Sequence, residues 1–583
     1  MSWRDRAAGE LRADDVGSMV TLAGWVARRR DHGGLIFVDL RDHTGIAQLV
    51  ISPERSPEAA QMAHDIRNEF VLRARGLVAA RAEDAVNPKL PTGEVEVQVE
   101  ELEVLSRSTP LPFQLDEQNV EENLRLRFRW LDLRRERMQR NLRLAGAVVS
   151  AIRRRVEELG FVDLWTPSLI KGTPEGARDF LVPVRLQPGK FFALAQSPQV
   201  YKQLYAIAGF DRYYQIATCW RDEDLRADRQ FEFHQLDVEM GFAERDDVLN
   251  VLEDAVVASF DALEREPPER PFPRLTWHEV MARYGTDKPD LRFGLEIQDA
   301  TELTRSSEFK VFAGAGSVRF LVVPQAFSRA ELERLEEVAK AWGAQGMAYL
   351  VIDETGEVRS PIAKFLSEAE LQAFRAGPGS TVLFAADTPA VTARVLGGLR
   401  THLGRELDLA DKSRNAFLWV IDFPVFEWNE DEARWTFSHH PFTGVMPGHE
   451  ELIESDPGVA ISQAYDLVWN GWELGSGSIR IHDQEVQKRV FRALGLSDEE
   501  AEEKFGFLLE ALRMGAPPHG GFAMGIERFV ALMADEPNIR EIIGFPKVAS
   551  GSDPLTGAPT PMPDATLREL GLQLRRSPRE RRP

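Results

Sequence analysis

Residues 221–240 read RDEDLRADRQFEFHQLDVEM, and this stretch decides how the chain is interpreted. Arg221, Asp222, Glu223, Asp224, Arg226, Asp228 and Arg229 crowd into its first half, and a segment with strand-like alternation follows. Phe233, Gln235, Asp237 and Glu239 share one parity, and Leu236, Val238 and Met240 share the other, so the two sets point to opposite faces of a strand. The alternation predicts one core face and one face carrying two acids and an amide. A strand buried on both sides is disfavoured here, because unpaired buried charge is costly. An exposed hairpin laced with salt bridges would explain the acids. The preceding YYQIATCWRDE is apolar up to Trp220 and then sets Arg221 and Glu223 on one face, which suits a triphosphate and its metal better.

Working outward, 583 residues are too many for one ordinary core, so several domains are expected. No apolar run approaches a membrane span, and the opening MSWRDRAAGELRADD has no apolar stretch of the signal-peptide kind. Cys219 is the only cysteine, which excludes intrachain disulfides and cysteine-based zinc sites and predicts a reducing, cytoplasmic setting. A net charge of −22 argues against nucleic-acid binding by the whole surface but permits a local site.

Residues 1–108 read as all-β. VTLAGWVARRR, GLIFVDLRD, GIAQLVIS, FVLRARGLVAAR and EVEVQVEELEVL are short strands separated by turn signals, with one helical segment, PEAAQMAHDIRNEF. Five strands and a helix suggest an OB-type barrel, a fold that commonly binds single-stranded nucleic acid. Residues 109–135 read as a linker. From 136 to 289 a long helix (about 136–159, with Leu142, Ala145, Val149, Ile152 and Val156 at helical spacing) leads into alternating strands and helices. Residues 290–415 differ in texture and read as an inserted α/β domain. Strand and helix resume over 416–565, and 566–583 form a tail ending in the basic RRSPRERRP, expected to be disordered.

Several blocks now carry a resemblance. GFVDLWTPSL (160–169), TCWRDEDLRADRQFEFHQLDVEM (218–240) and GFAMGIERFVALM (521–533) resemble motifs 1, 2 and 3 of class II aminoacyl-tRNA synthetases. TPEGARDFLVP (173–183), QSPQVYKQ (196–203), YGTDKPDLRFG (284–294), SHHPFTG (438–444) and ELGSGSIRIH (473–482) are similar to blocks of the bacterial-type aspartyl family within that class. The resemblance runs essentially the whole length. It implies an α+β fold in which the catalytic part is an antiparallel sheet flanked by helices, and a homodimer with motif 1 at the interface. The chain lacks GxxxxGK[ST], so a P-loop route to ATP is unsupported.

The implied reaction joins L-aspartate to tRNA(Asp) through an aspartyl-adenylate, with ATP as substrate and Mg2+ on its phosphates. By resemblance, Arg221 and Arg528 are the catalytic cations. Glu175, Ser197, Gln199, Lys202, Arg221, Asp237, His439, His440 and Arg480 would bind aspartate, with Lys202 and Arg480 meeting its side-chain carboxylate. Arg221, Asp222, Glu223, Gln230, Phe233, Glu473, Gly525, Ile526, Glu527 and Arg528 would bind ATP, Phe233 by stacking on adenine. Glu473 and Asp466 match the metal positions, although a structural salt bridge also explains Asp466. Glu473 and Arg480 have opposite parity, so both reach one site only if their strand bulges, which Gly475 and Gly477 permit. In the barrel, Arg30, Phe37, Gln48 and Glu96 match anticodon-reading positions; Phe37 could equally be a core residue.

The chain departs from the family's usual pattern at Ala195, Phe231, His234, Ser476 and Glu527. His32 and Asp84 bear on tRNA choice: histidine after RRRD accompanies relatives that also charge tRNA(Asn), feeding a tRNA-dependent amidotransferase. A surface residue without selectivity is the competing account of His32. Asparaginyl- or lysyl-tRNA synthetase, lacking the large insertion, and a non-catalytic tRNA-binding paralogue are the rivals. The latter would be expected to lose Arg221, Arg480 or Arg528, and all three are present.

Overall fold

A computed structural model describes residues 3–172, 177–374, 376–430 and 432–574; the basic end 575–583 lies outside them. The chain divides into two compact units, Met1–Val120 and Glu121–Pro583. No helix among the described residues is long and apolar enough to cross a membrane.

The first unit closes five strands into a barrel: Met19–His32, Leu35–Arg41, Ile46–Ile51, Val71–Ala80 and Val95–Ser106, with the last two exchanged in spatial order. Alternation explains the closure. Ile36, Val38 and Leu40 point inward and are fully buried, as are Leu22, Val26, Leu72, Ala74 and Val97. Phe37 belongs to the opposite, outward parity and is half-buried, so it is not a core residue.

The second unit is built on an eight-stranded sheet, in the order Arg274–Thr276, Phe417–Ile421, Ala464–Trp469, Trp472–Ile479, His519–Gly525, Glu232–Gly241, Arg212–Trp220 and Val162–Asp163. The six inner strands pair antiparallel, and each edge strand adds in parallel, so the sheet is mixed at its margins. One parity of every inner strand feeds a single core: Phe417, Trp419 and Ile421; Tyr465, Leu467 and Trp469; Phe522 and Met524; Leu236, Val238 and Met240. The helices Glu136–Glu158, Arg245–Asp261 and Ile526–Met533 pack against this face. The core stripe of Glu136–Glu158 is Leu144, Val148, Ile152 and Val156. Leu142, Ala145 and Val149, expected in it, are only half-buried, because the sheet lies on the side that Leu144 and Val148 present.

Within 109–135, expected as linker, Glu122–Arg127 and Arg129–Asp132 are helical. The buried Arg129 donates to the carbonyls of Arg540, Ile543 and Gly544, which binds this stretch to the second unit. Between helix Trp277–Tyr284 and strand Phe417–Ile421 sits a separate antiparallel sheet, ordered Gln298–Asp299, Ser317–Val323, Ser380–Asp387, Ala348–Ile352 and Val358–Arg359. Helices Arg329–Ala341 and Pro389–Glu406 cover one face, and a phenylalanine-rich cluster (Phe312, Phe320, Phe374, Phe384) fills the other.

Strand Trp472–Ile479 is irregular where the sequence required it. Val468 pairs with Glu473 and Leu467 with Gly475, so Leu474 is the extra residue of a bulge. The bulge brings the strand against its neighbour so closely that a Cβ on Gly475 would lie 2.1 Å from the Ala523 carbonyl oxygen. Gly475→Ala is expected to lower stability by about 2–3 kcal/mol, as overpacking against backbone does; the urea unfolding midpoint measures it.

Candidate active site

The face of the sheet opposite the helix core opens into a cavity of about 990 Å3. Its floor is the polar parity of three strands: Gln235 and Asp237, Ala523 and Gly525, and Asp466. Ser197, Gln199, Arg221, Asp222, Glu223, Gln230, Phe233, His439, His440, Glu473, Arg480, Glu527 and Arg528 also line it, so most of the residues singled out in sequence converge here. Three do not. Glu175 lies outside the described residues. Ile526 turns into the helix core. Lys202, expected to face a substrate carboxylate, is fully buried behind the wall.

The deep end is a four-charge cluster. Lys202, on helix Gln199–Ile207, donates to Asp237 Oδ1 (2.9 Å) and the Phe522 carbonyl (3.1 Å), and its Nζ is 3.6 Å from Glu239 Oε2. Arg480 grips Glu239 with two parallel bonds, Nε to Oε1 at 2.9 Å and NH2 to Oε2 at 3.1 Å. Asp237 and Glu239 are both completely buried, so the strand is buried on both sides, the arrangement its charges disfavoured, because each acid finds a buried cation. Glu239 was noted only for its parity; its pairing with an arginine 241 positions away leaves no local sequence signal.

The two acids are pushed in opposite directions. Burial raises Asp237, and Lys202 only partly offsets it. Burial also works against ionised Glu239, but the charges of Arg480 and Lys202 outweigh it and hold the carboxyl below its ordinary range. Among the described residues, Asp237 Oδ2 and the Gln199 side-chain nitrogen have no hydrogen-bond partner. Two unsatisfied buried polar groups lining one cavity call for a ligand. Turning the Gln199 amide over would offer its oxygen, like that of Asp237, to a cationic ligand group.

Arg480 NH1 also meets Ser478 Oγ and His440 Nε2, each at 2.7 Å. Arginine can only donate, so His440 Nε2 is the accepting nitrogen. Burial first, then the charge of Arg480, push His440 far below the usual imidazole range, and it is neutral. His439 behaves differently. Burial opposes its charged form, yet Asp466, 3.0 Å from its Nε2, raises it.

Toward the mouth, Arg221 lies with its guanidinium carbon 5.0 Å from the Phe233 ring centroid and donates weakly to the Gln196 carbonyl (3.4 Å). Among the described residues it has no ion pair. Arg528, in the first turn of Ile526–Met533, donates to the Glu473 carbonyl (3.0 Å) and pairs with Asp228 (3.2 Å). Glu223 is held by Arg229 at 2.8 Å. The Gln230 amide is committed at both ends to the Lys547 backbone, so it shapes the wall.

Glu473 and Asp466 are both on the cavity, and the charge of Glu473 bears on Asp466. Asp466 also lies 3.0 Å from His439 Nε2, the contact that the salt-bridge account of it requires. No group of three or more His, Cys, Asp or Glu poised for a metal occurs among the described residues. Two hard carboxylates fit an Mg2+ that takes its other oxygens from phosphate and water, and do not fit an ion caged by protein alone.

Two departures turn out to be partners. Glu527 accepts the His234 backbone N–H with both oxygens (3.1 and 3.0 Å) and lies 2.7 Å from His234 Nδ1. Phe231 packs edge-on against Phe180, centroids 5.4 Å apart. In the barrel, Arg30 donates to Asp39 (2.7 Å) and Gln48 (3.2 Å), and Gln48 donates to Glu96 (3.0 Å), forming one polar chain. His32 is exposed and sits edge-on to Phe37, centroids 5.8 Å apart, whereas Asp84 is exposed in the separate turn Glu83–Ala85.

Residues 121–549 match the family described as tRNA synthetases class II (D, K and N), and residues 20–105 match the OB-fold nucleic acid binding domain. The chain is 49 % identical over 587 residues to the aspartate--tRNA(Asp/Asn) ligase of Nitratidesulfovibrio vulgaris, covering 100 % of this chain and 96 % of that one. It is 50 % identical over 593 residues to the enzyme of the same name from Salinispora arenicola, covering 99 % and 97 %. Its fold is similar to the asparaginyl-tRNA synthetase of Pyrococcus horikoshii complexed with asparaginyl-adenylate (TM-score 0.59, 19 % identity, covering 92 % of this chain and 96 % of that one). It is also similar to the aspartyl tRNA synthetase of Entamoeba histolytica (TM-score 0.57, 21 % identity, covering 92 % and 90 %). The chain belongs to the class II aminoacyl-tRNA synthetases, which use ATP.

The Glu527 hydrogen bond, outweighing burial, raises the His234 pKa. The pair's stabilisation is therefore complete below the unfolded histidine value and is lost as pH rises through the raised one. Ring-proton NMR is expected to place His234 above an ordinary histidine in the native protein and to lose that elevation in Glu527→Gln; an unchanged titration in the variant contradicts the pairing.

Proposed function

We propose that the chain is an aspartate--tRNA ligase that charges both tRNA(Asp) and tRNA(Asn). The observation that carries this is the deep end of the cavity. Asp237, with one oxygen unpartnered among the described residues, offers a seat for an α-amino group beside Arg480, which among the same residues retains one unused N–H for a carboxylate. An ammonium and a side-chain carboxylate held together select aspartate over asparagine and lysine. Near-50 % identity, over essentially the whole length, to relatives named for both tRNAs supports the double specificity.

Aspartate's α-carboxylate is already ionised and attacks the α-phosphorus of ATP, forming aspartyl-adenylate and releasing pyrophosphate. No strong base is needed, so catalysis rests on positioning and charge. Arg221, over the Phe233 ring and without an ion pair among the described residues, would meet the α-phosphate while Phe233 stacks on adenine. Arg528 guards the other side. Glu473 and Asp466 would hold Mg2+, which supplies neutralisation of the triphosphate charge. A hydroxyl of the tRNA's terminal adenosine then attacks the aspartyl carbonyl carbon, and AMP leaves.

In the barrel, outward Phe37 offers a stacking surface, worth roughly 1–3 kcal/mol per base, and the Arg30–Gln48–Glu96 chain offers hydrogen bonds to anticodon base edges. His32, exposed beside Phe37, is placed to act on tRNA choice. Aspartyl-tRNA(Asn) must be amidated before use, so a tRNA-dependent amidotransferase is a partner. The work belongs in the cytoplasm, where tRNA and ATP are.

ATP–pyrophosphate exchange is expected with aspartate and not with asparagine or lysine. Purified tRNA(Asp) and tRNA(Asn) are expected to be aspartylated at comparable rates; strict rejection of tRNA(Asn) contradicts the double specificity, and no exchange with any amino acid contradicts the enzyme assignment.

The protein works as a homodimer through the motif 1 segment. Trp165 is 81 % exposed and Val162 48 %, adjoining one edge of the sheet, and so much apolar surface on a short segment marks an interface. Trp165→Glu is expected to shift sedimentation from dimer to monomer at micromolar protein; an unaltered profile places the interface elsewhere.

A further inference from the structure

Helix Pro389–Glu406 of the inserted region clamps a loop of the catalytic part. Gly397, Arg400 and Gly404, spaced three and four apart, lie on one face of that helix. A Cβ on Gly397 would lie 2.4 Å from the Gly285 carbonyl oxygen, and one on Gly404 would lie 2.4 Å from the Phe293 ring. Gly285 itself ends helix Trp277–Tyr284 with φ +67°, so backbone meets backbone with no side chain between.

Arg400 is the centre of the clamp. It is 1 % exposed, with its guanidinium carbon 4.2 Å from the Phe293 centroid and 4.9 Å from that of Tyr284. NH2 points at the carbonyls of Asp290 (2.8 Å), Phe293 (3.0 Å) and Gly294 (2.9 Å). It has no ion pair among the described residues, and the Asp290 carboxylate is taken by Arg292. Burial pushes the guanidinium down to about 10. A buried cation held by carbonyls and ring faces fixes the path of a backbone.

That backbone carries Asp287 and Lys288 into the cavity. Lys288 is half-exposed, and its Nζ is 3.5 Å from Glu473 Oε2. Arg528 approaches Glu473 as well, NH1 to Oε1 at 3.9 Å. The cleft thus has a cation pair around Glu473, distinct from the Lys202–Arg480 cluster, and the lysine of that pair lies on the loop that Arg400 holds.

We propose that Lys288 binds the polyphosphate of ATP and that Arg400 is its positioning residue, acting through the loop 285–294. This rests on the ATP-dependent activity argued above. An ammonium on a flexible stem suits phosphate oxygens as a point charge. The inserted region is then a part of the ATP site and not a passive appendage.

The test uses the full chain carrying K288M, R400Q, R400K or K288M/R400Q. Exchange kinetics give KM for ATP and for aspartate, equilibrium titration with a non-hydrolysable ATP analogue gives affinity, and thermal melting reports folding. K288M is expected to weaken ATP on the order of tenfold, the worth of one charge-assisted hydrogen bond, in both KM and affinity, with KM for aspartate within about twofold. R400Q is expected to weaken ATP less, and K288M/R400Q no more than K288M, since one acts through the other. R400K keeps the buried charge with fewer directed donors and is the variant to read if R400Q does not fold. Unchanged ATP affinity in K288M overturns the phosphate role. Unchanged ATP affinity in a folded Arg400 variant, or additive losses in the double variant, overturns the positioning role. Absence of exchange in the unsubstituted protein is instead a failure of the activity assignment.

Discussion

The buried four-charge cluster of Lys202, Asp237, Glu239 and Arg480 is the constraint on which the rest of the site depends. Two like-charged acids sit two residues apart on one strand, completely out of water. Removing one partner of a buried pair typically costs about 3–5 kcal/mol, so the helix Gln199–Ile207 that brings Lys202 and the strand end that brings Arg480 are both required for the central strand to exist in this register. Gly521 shows how tightly the cluster is drawn: a Cβ there would lie 2.0 Å from Glu239 Oε2. The neighbouring strand has to be glycine at the point where the carboxylate crosses it.

Register follows from the same cluster. A one-residue slip of strand Glu232–Gly241 would turn Asp237 and Glu239 into the helix core and Leu236 and Val238 into the cavity. Both faces oppose the slip, one by lost burial and the other by lost charge pairing. Neighbouring strands repeat the division, with Phe522 and Met524 in the core and Ala523 and Gly525 on the cavity. The bulge at Leu474 then lets one strand and the residue that follows it reach one cavity with both Glu473 and Arg480, although simple alternation would separate them.

What was legible in the sequence was whatever depends on local pattern. The barrel strands, the long helix from 136 and the alternation after Phe233 all follow from period and turn chemistry, and the order of the motifs carried the class II resemblance. The need for a bulge was visible as a parity conflict with glycines beside it. Pairing across long separations was not legible. The stripe of Leu144 and Val148 could not be told from Leu142, Ala145 and Val149, because both satisfy helical spacing and only the position of the sheet decides. Burial of Asp237 and Glu239 ran against a sound local rule, and the cations that reverse it come from residues 202 and 480. His234 and Glu527 looked like two separate oddities until a 2.7 Å contact joined them.

The cations of the cleft divide by how they are neutralised, and the division matches the work. Lys202 and Arg480 are held by carboxylates at the floor, so their geometry is fixed before any ligand arrives, which suits selection among similar amino acids. Among the described residues Arg221 is held only by a ring face and one distant carbonyl, and Glu223 is already matched by Arg229. Among the same residues its charge is therefore uncompensated, which suits the proposed role of meeting the negative charge that shifts during attack on the α-phosphorus. A cation preorganised by stacking need not first break an ion pair to meet that charge, and it contributes most in a cleft that excludes water. Arg528 and Lys288 are intermediate, loosely paired with Asp228 and Glu473. Such pairs can reopen when a triphosphate arrives, which is the behaviour a site needs if it must also release pyrophosphate.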